Sequence, residues 1–365
     1  MRNHAARLLP LLALVPLAGC ASLPSPRTIS CAESAAPRID VSPGGGSATT
    51  TIDVLTYNIE GLPWPARSGR AAKLRAIGAH LDALRREGAA PDVVLFQEAF
   101  SGASAKAVEA TGYPARVVGP TRTERRARDA AGKVPGSRKW RKGEIGIRVL
   151  SSGLVIASRY PIVQSASEPF SRRSCAGFDC LSNKGVLHAR VAIPRVPDPI
   201  DIFNTHMNAQ RASGVSKERH TPAHNIQAEE LAAFLEARRV PENPAIFGGD
   251  FNMRRSLLRF DTFDTLQPLA LVHRYCTSKD SGCDVRMSWD GDAPWMDTQD
   301  LQLFASGERV EVRPVRVEAM FDGRPDSPLL SDHDGFRVRY AISWDAAAQP
   351  SPGACHPGKG AAAAP

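Results

Sequence analysis

Polar side chains of the kinds that bind metals and phosphates recur along the chain, most of them after a short apolar run. They are amides, carboxylates and imidazoles: Asn58, Glu98, His206, Asn208, Asp250, Asn252, Asp332 and His333. One such residue is usually a structural hydrogen-bond partner, but burying several costs a few kcal/mol each unless something pairs with them. A divalent metal and a phosphate would supply those partners, so the set predicts metal-dependent chemistry on phosphate esters.

The residue types indicate individual roles. The carboxylate of Glu98 is a hard oxygen ligand of the kind that Mg²⁺ prefers, and Mn²⁺ or another divalent cation could use the same donors. His333 can act as a general base if a carboxylate orients its ring. That acid is either the adjacent Asp332 or a more distant one such as Asp300, because neighbouring side chains on an extended segment point to opposite faces.

Short strands must position these residues. Eight apolar runs predict strands: 51–59, 92–99, 153–159, 185–193, 200–207, 245–252, 301–306 and 336–343. Helical spacing of apolar residues predicts helices over 71–87 and 221–239, the second with Pro222 at an early position. Many strands with few helices favour an α/β sandwich in which sheets pack on each other and helices lie outside.

The chain is basic, with a net charge of +8 and a pI near 9.3. This charge favours contact with phosphates of nucleic acid, lipid headgroups or an anionic membrane, or it belongs simply to a soluble basic surface. Residues 121–148 carry ten Lys or Arg against three acidic residues. The segment is either a solvated surface insertion or a loop that engages an anionic substrate or membrane.

The first residues resemble an export signal. A positive start precedes the apolar run Leu8 to Leu17, which is too short to span a bilayer. The next letters, LAGC, resemble a bacterial lipobox, which implies cleavage before Cys20 and lipidation of its thiol. The alternative is an ordinary secretory signal with a chance cysteine. We therefore predict a lipoprotein signal peptide over 1–19 and anchoring in the bacterial cell envelope, with Ala21 favouring the outer membrane by the same resemblance.

Composition divides the remainder into three parts. Residues 20–50 are rich in Pro, Ser, Gly and Ala, which predicts a flexible tether that carries the lipid anchor. Residues 346–365 form a low-complexity tail that we expect to be disordered apart from Cys355. The folded domain then spans 51–345.

Six cysteines remain besides Cys20, an even number that predicts three disulfides in an oxidising compartment. Close spacing pairs Cys175 with Cys180 and Cys276 with Cys283. Cys31 and Cys355 are left near the two ends of the mature chain, and we predict that they join the termini. Zinc is the alternative, but no histidine lies at ligand spacing near these cysteines.

Six short motifs occur in a fixed order between residues 55 and 336: LTYNIEG, LFQEAF, NTHMNAQ, GGDFN, QDLQLF and SDHDGF. Together they resemble the endonuclease/exonuclease/phosphatase superfamily. The resemblance covers nearly all of the folded region. It implies a four-layer α/β sandwich, with two central, mostly antiparallel β-sheets packed face to face, helices outside, and an active site at one end.

The resemblance assigns the metal to Glu98, with Asn58 beside it. It implies that Asp332 contributes to metal binding or orients the site. His206 would donate a hydrogen bond to a phosphate oxygen in the transition state.

The same resemblance assigns water and proton handling to the remaining residues. Asp250 and Asn252 would position the attacking water and the phosphate. His333 would be the base, oriented by Asp300 of QDLQLF. The family places this acid before an aromatic-Ile-Phe sequence, whereas Leu-Gln follows it here.

A narrower resemblance points to sphingomyelinases. FDCLSNKGVLHARV is similar to the sphingomyelinase segment that holds an Asp and a Lys five residues apart, here Asp179 and Lys184. HMNAQ, which contains Asn208, and SWDG (288–291) are also similar. In those enzymes the Asp–Lys pair helps to control substrate access. The alternative for Asp179 and Lys184 is a surface ion pair worth about 0–1 kcal/mol.

Three functions follow from these patterns. The first is a Mg²⁺-dependent phosphodiesterase that releases a phosphorylated headgroup from a phospholipid, as sphingomyelinases do. The second is a secreted nuclease of the same fold, which the basic charge suits. The third is a lipoprotein that binds at the surface without catalysis, against which the intact set of acids, amides and histidines argues.

Overall fold

The computed structural model describes residues 23–127, 132–286 and 298–355. Its strands are β1 (Asp40–Val41), β2 (Ser47–Asn58), β3 (Val93–Gln97), β4 (Ala115–Val118), β5 (Val155–Ser158), β6 (Ile162–Pro169), β7 (Gly185–Val191), β8 (Ile200–His206), β9 (Ala245–Asp250), β10 (Ala270–Leu271), β11 (Asp284–Arg286), β12 (Asp300–Ala305), β13 (Val310–Met320) and β14 (Gly335–Asp345). Its α-helices are α1 (Arg70–Arg86), α2 (Gly102–Ala110), α3 (Lys217–Arg238), α4 (Leu257–Leu266) and α5 (Val272–Cys276).

The strands form two sheets. In the first, the order is β11-β13-β14-β2-β3-β5-β4, with β1 paired to β2. In the second, the order is β10-β12-β9-β8-β7-β6. Most neighbours are antiparallel, and the parallel pairs are β2 with β3, β8 with β9 and β11 with β13. The predicted pair of mostly antiparallel sheets is confirmed.

Three apolar clusters separate four layers. The central cluster joins the inner faces of the sheets through residues such as Val54 and Leu95 of one sheet and Ile202 and Ile246 of the other. A second cluster joins α1 and α2 to the outer face of the first sheet, and a third joins α3 and α4 to the outer face of the second. The structure therefore has the predicted layer order of helix, sheet, sheet and helix.

Buried side-chain amides join the two sheets by hydrogen bonds and so fix how one sheet lies on the other. Asn204 of β8 donates to the carbonyl oxygens of Phe96 and Val155 across the interface at 3.0 and 3.1 Å. Gln302 of β12 donates to the carbonyl oxygens of Val54 and Phe336, both at 3.0 Å. Gln302 is thus an inter-sheet contact, which accounts for a polar residue where the family pattern has an apolar one. Because buried amides must find partners, these bonds fix the alignment of the strand ends that carry the site.

The predicted strands and helices are present with small boundary shifts. Helix α1 starts one residue before its predicted start, and α3 starts four residues before Thr221. The first backbone bonds of α3 run from the amides of Arg219 and His220 to the carbonyl of Ser216, so Pro222 lies in the second turn. The edge strands β4, β6, β10 and β11, the strands β1 and β13, and the helices α2, α4 and α5 were not predicted.

The segment that precedes the core is tied to it. The predicted boundary at residue 51 lies inside β2, which starts at Ser47 and pairs with β1. Backbone hydrogen bonds also join Arg27 to Arg116. Within the described part of the chain, the stretch predicted as a tether is therefore held to the domain at Ser25, at Arg27 and at β1. The predicted signal peptide, Cys20 and the SWDG motif lie outside the described residues.

All three predicted disulfides are present: Cys31–Cys355, Cys175–Cys180 and Cys276–Cys283. The first fastens the C-terminal segment to the domain, with help from a bond between the amide of Arg195 and the carbonyl of Cys355 at 3.0 Å. The predicted low-complexity tail is thus packed as far as Cys355. None of the helices in the described ranges has the length and apolar character needed to cross a membrane.

Candidate active site

Strand direction brings the predicted residues to one edge of the sandwich. Parallel β2 and β3 end at Asn58 and Gln97, while parallel β8 and β9 end together at His206 and Asp250. Antiparallel β12 starts at Asp300, directly opposite Asp250. The loop before β14, antiparallel to β2, carries His333 to the same edge. Because the sheets pack face to face, the polar ends of both meet there.

Asp250 lies at the centre of this group. Its Oδ2 accepts from Asn58 Nδ2 at 3.0 Å and lies 3.3 Å from His206 Nε2 and 4.0 Å from His333 Nε2. Its Oδ1 accepts from the amide of Asn252 at 3.0 Å. Burial raises the pKa of Asp250 to about 7, although the charge of His333 opposes that rise. Both carboxylate oxygens are therefore held in place within a buried polar cluster.

His333 is oriented by Asp300. Its Nδ1 lies 2.6 Å from Asp300 Oδ2, and its Nε2 lies 3.0 Å from Gln299 Nε2. Burial opposes the charged ring, but Asp300, with Asp250 and Glu98, outweighs burial and holds the pKa of His333 well above its usual range. The contact with Asp300 therefore orients the ring with Nε2 towards Gln299 and Asp250, and the role of base stays a prediction.

Asp332 lies apart from this cluster. Its side chain is 52% exposed, and its closest ion pair is with Arg67 at 3.8 Å. The side chains of Asp332 and His333 point in different directions, as expected for neighbours in an extended loop. Of the two acids that the sequence left open as the partner of His333, the one in contact with the ring is Asp300.

Glu98 follows β3 in a left-handed conformation, with φ of 58°. Its Oε1 accepts from Asn58 Nδ2 at 3.2 Å, and its side chain is partly exposed. Burial raises the pKa of Glu98, although Lys184 and His333 favour its charged form. A non-glycine residue in this conformation costs about 1 kcal/mol or more, so the fold tolerates strain where this carboxylate is presented.

The donors present suit a divalent metal. Asp250, Asp300 and His333 bring ligand atoms within 4.8 Å of one another, and Asp300 Oδ1 is buried without a hydrogen-bond partner among the described residues. Glu98 adds a further carboxylate, and Asn58 Nδ2 lies between it and Asp250, at 3.2 and 3.0 Å. Because burial disfavours several carboxylates in one place, a cation with hard-oxygen preference fits this group.

Lys184 is buried beside His206. Its Nζ donates to Asp179, to the carbonyl of Met207 at 3.0 Å and to His206 Nε2 at 2.8 Å. An ammonium group can only donate, so Nε2 accepts and the ring proton lies on Nδ1. Burial and the charge of Lys184 lower the pKa of His206 well below its usual range. The alternative of a surface ion pair is wrong, because both Asp179 and Lys184 are over nine-tenths buried.

Asn208 and Asn252 are held by the protein around them. The side-chain amide of Asn208 accepts from the amide of Ala176 at 2.8 Å and donates to the carbonyl of Ala209 at 2.9 Å. That of Asn252 donates to the carbonyl of Met207 at 3.1 Å. The structure thus gives Asn208 a structural role beneath the site, whereas Asn252 borders Asp250.

Two buried arginines brace the site and were not predicted from the sequence. Arg259 of α4 donates to the carbonyls of Asn208 and Asn252 at 2.7 and 2.8 Å. Arg70 of α1 donates to the carbonyls of Ile59 and Leu330 at 2.9 and 2.8 Å, joining the loops that carry Asn58 and His333. Arginines are usually exposed, and only their position on the inward face of a helix could have indicated burial.

The motif order and the fold agree with a known family. A sequence profile described as the Endonuclease/Exonuclease/phosphatase family matches residues 55–333. The chain belongs to this family, whose members are hydrolases acting on phosphodiester bonds. Among curated proteins, none matches the sequence.

Several solved structures share the fold at low identity. Sphingomyelinase C from Streptomyces griseocarneus is 19% identical with a TM-score of 0.54, over 80% of this chain and 99% of that one. A beta toxin variant from Staphylococcus aureus with bound magnesium ions is 18% identical with a TM-score of 0.50, over 79% and 99%. TDP2 from D. rerio, complexed with a single-strand DNA product, is 13% identical with a TM-score of 0.52, over 80% and 99%.

Proposed function

We propose that this chain is a metal-dependent phosphodiesterase of the sphingomyelinase type, which releases a phosphorylated headgroup from a phospholipid. The observation that carries the lipid assignment is the buried contact of Lys184 with Asp179 and His206. The sequence segment that resembles sphingomyelinases is thereby part of the cluster around Asp250 rather than a surface feature. The fold similarity to sphingomyelinase C is compatible with this assignment.

Mg²⁺ is the cofactor that we propose, with Glu98 and Asn58 as its principal protein ligands. Bound there, a divalent ion would polarise a phosphoryl oxygen and offset charge that develops during hydrolysis. The magnesium ions of the beta toxin structure belong to a protein with the same fold. Asp332 lies at the exposed rim beside Arg67, and its charge raises the pKa of Glu98, so we keep it as a further candidate ligand.

The remaining residues divide between water and phosphate. Asp250, held on both oxygens by Asn58 and the amide of Asn252, is placed to orient the attacking water and to accept its proton. His333, paired with Asp300, would contact a phosphate oxygen. His206 and Lys184 form the opposite side of the cluster, where the ammonium group of Lys184 places a positive charge that would attract a phosphate.

A nuclease is the second candidate. It is favoured by the net charge of +8 and by the shared fold of TDP2, whose structure holds a single-strand DNA product. The cluster around Asp250 would serve either substrate, because both present a phosphodiester. The two candidates differ in the groups that flank the scissile phosphate.

Parallel hydrolysis assays separate the candidates. The mature chain would be incubated with Mg²⁺ and either sphingomyelin vesicles or supercoiled DNA, and Asp250→Asn would be the inactive control in both. We expect headgroup release that disappears in Asp250→Asn, with little DNA nicking. DNA nicking without headgroup release would assign the chain to the nucleases. Hydrolysis of neither substrate, with vesicle binding retained, would favour the non-catalytic lipoprotein.

We also propose that Cys20 is lipidated and anchors the protein in the cell envelope, at the outer membrane. The proposal rests on the LAGC sequence alone. A single acyl chain gives marginal membrane binding, whereas the several chains of a lipoprotein anchor stably. Incorporation of labelled palmitate that Cys20→Ser abolishes would support the anchor, and unlabelled wild-type protein in the culture medium would refute it.

A further inference from the structure

A cationic cavity lies beside the segment 132–149. Its volume is about 390 Å³. Residues of this segment, of the strand-connecting segment around the Cys175–Cys180 disulfide and of α3 line it. Those with charge are Lys133, Arg138, Glu144, Arg148, Arg172, Arg173 and Arg219. The cavity is distinct from the cluster around Asp250, because none of the residues assigned to catalysis is among its lining residues.

Positive side chains outnumber negative ones among the described residues that line this cavity. Of the described lining residues, Glu144 is the carboxylate, and it is already bound to Arg219 and to the backbone amides of Lys139 and Gly177. Arg148 is buried, yet its guanidinium bonds to the carbonyls of Cys180 and Ser171 at 2.9 and 3.2 Å. Burial and the charge of Arg172 lower the pKa of Arg148 to about 10, so an anion here would relieve repulsion.

Exposed apolar side chains occur along the same segment and on Phe178, which lies beside Gly143. Trp140 and Ile147 are 65% and 62% exposed, and Ile145, Val149 and Phe178 are between 45% and 48% exposed. The cations are interleaved with them: Arg141 lies 4.8 Å from the Trp140 ring centroid and Lys142 lies 5.7 Å from that of Phe178. Large apolar groups are rarely gathered on a solvent-facing surface unless something covers them.

We infer that the segment 132–149, together with Phe178, binds the surface of an anionic membrane and holds a lipid phosphate in the adjoining cavity. Trp140 and Ile147 would enter the region between headgroups and acyl chains, while the arginines remain at the level of the phosphates. The inference goes beyond the proposed hydrolytic function and does not require it, because binding can be measured without turnover.

The chemistry of the patch favours a membrane over nucleic acid. Single-stranded nucleic acid is bound by aromatic rings on which bases stack, whereas three of the five exposed apolar residues here are aliphatic. Aliphatic side chains gain most from hydrocarbon. A mixed patch of Trp, Phe, Ile and Val with Lys and Arg combines the two attractions of an anionic bilayer, apolar burial and charge.

Vesicle flotation tests the inference. The mature chain starting at position 20, with Cys20→Ser to keep it unacylated, would be mixed with phosphatidylcholine vesicles that contain or lack phosphatidylglycerol, in EDTA so that no lipid is hydrolysed. We expect binding to the anionic vesicles that Arg138→Gln/Arg172→Gln weakens about thirty-fold, since each basic residue at the surface contributes about fivefold. The matched control is Lys73→Gln/Arg75→Gln, which removes the same charge from exposed positions of α1.

A second pair of variants tests the apolar contact. Trp140→Ser/Ile147→Ser should weaken binding by on the order of tenfold or more, whereas Val41→Ser/Val163→Ser, exposed valines of β1 and β6, should not. All variants should hydrolyse a small water-soluble phosphodiester at the wild-type rate. If the wild-type protein hydrolyses no phosphodiester, that result refutes the proposed function but leaves the membrane-binding inference intact.

Several results would overturn the inference. These are equal loss in the charge control, no dependence on phosphatidylglycerol, or binding of inorganic phosphate to the cavity without binding of vesicles. Binding of single-stranded DNA that the Arg138 and Arg172 variant abolishes, with vesicle binding unchanged, would also overturn it.

Discussion

Replacing Asp300 by Asn should disable the site, whereas replacing Asp332 by Asn should not. Asp300 Oδ2 lies 2.6 Å from His333 Nδ1 in a buried setting, and a hydrogen bond between charged groups there contributes about 1.5–3 kcal/mol. If that stabilisation is needed in the transition state, its loss lowers kcat/KM about 10- to 160-fold. Asp332 is half exposed and 3.8 Å from Arg67, so its pairing is worth about 0–1 kcal/mol, at most about fivefold.

The pH profile distinguishes this role from a merely structural one. Asp300 is the main group that raises the pKa of His333, so in Asp300→Asn the ring loses its proton at lower pH. If the imidazolium contacts phosphate, the alkaline limb of the kcat/KM profile should move to lower pH. We would measure the profile on a water-soluble phosphodiester, with Asp332→Asn as the matched control. His333→Ala sets the largest expected loss, a fall in kcat/KM of about 10²–10⁴-fold.

Two outcomes would refute this reasoning. Equal losses in Asp300→Asn and Asp332→Asn would mean that adjacency to His333, rather than the observed contact, decides the partner. A large loss in Asp300→Asn with an unchanged profile would show that Asp300 acts on the fold and not on the titration of His333.

Four further predictions concern the metal, the supports of the site and the ends of the chain. EDTA should abolish hydrolysis, and Mg²⁺ or Mn²⁺ should restore it in a turnover assay. Arg259→Met should lower the free energy of unfolding by about 2–5 kcal/mol in urea titrations, because two or more buried carbonyls lose their donor. Asp53→Asn should destabilise the fold at neutral pH but not in strong acid. Replacing Cys31 and Cys355 by Ser should lower the free energy of unfolding by about 2–4 kcal/mol.

The sign of the Asp53 effect follows from its surroundings. Burial disfavours its charge, but the arginines at positions 339 and 337 of β14 outweigh burial and lower its pKa. The ion pairs of Asp53 therefore contribute fully to the free energy of unfolding above about pH 3.9, the pKa of Asp in the unfolded chain. This contribution is lost as the pH falls through the lower pKa of Asp53 in the folded protein. If Asp53→Asn destabilises the protein equally at all pH values, these ion pairs are not the cause. Separately, full hydrolytic activity in EDTA would refute the prediction of a metal-dependent enzyme.

Local sequence carried much of the fold. Apolar runs identified the central strands, and the carboxyl ends of those strands identified the polar residues that gather around Asp250. The short edge strands were missed because they are partly exposed and lack a strong apolar pattern; β11 covers only three residues. The packing of residues 23–50 was missed because a Pro-, Ser- and Gly-rich segment can be ordered by strand pairing that composition does not reveal, although its Cys31–Cys355 disulfide was predicted.

Contacts between distant elements could not be predicted from spacing. Arg70, Arg259 and Gln299 each contact residues that are remote in sequence or on another loop, and spacing does not identify those partners. The choice between Asp300 and Asp332 as the partner of His333 was of the same kind. It depended on where β12 lies against β9, which is a tertiary fact.

Lys184 shows how burial alone changes the interpretation of a charged pair. At a surface, Lys184 and Asp179 would be screened and nearly neutral in their effect on stability. Buried, each needs its partner, and removal of one leaves an uncompensated charge. The third hydrogen bond of Lys184 is to His206 Nε2, which also lies near Asp250. The pair therefore connects the sphingomyelinase-like segment to the catalytic cluster, and substrate that contacts Lys184 must also alter the surroundings of His206.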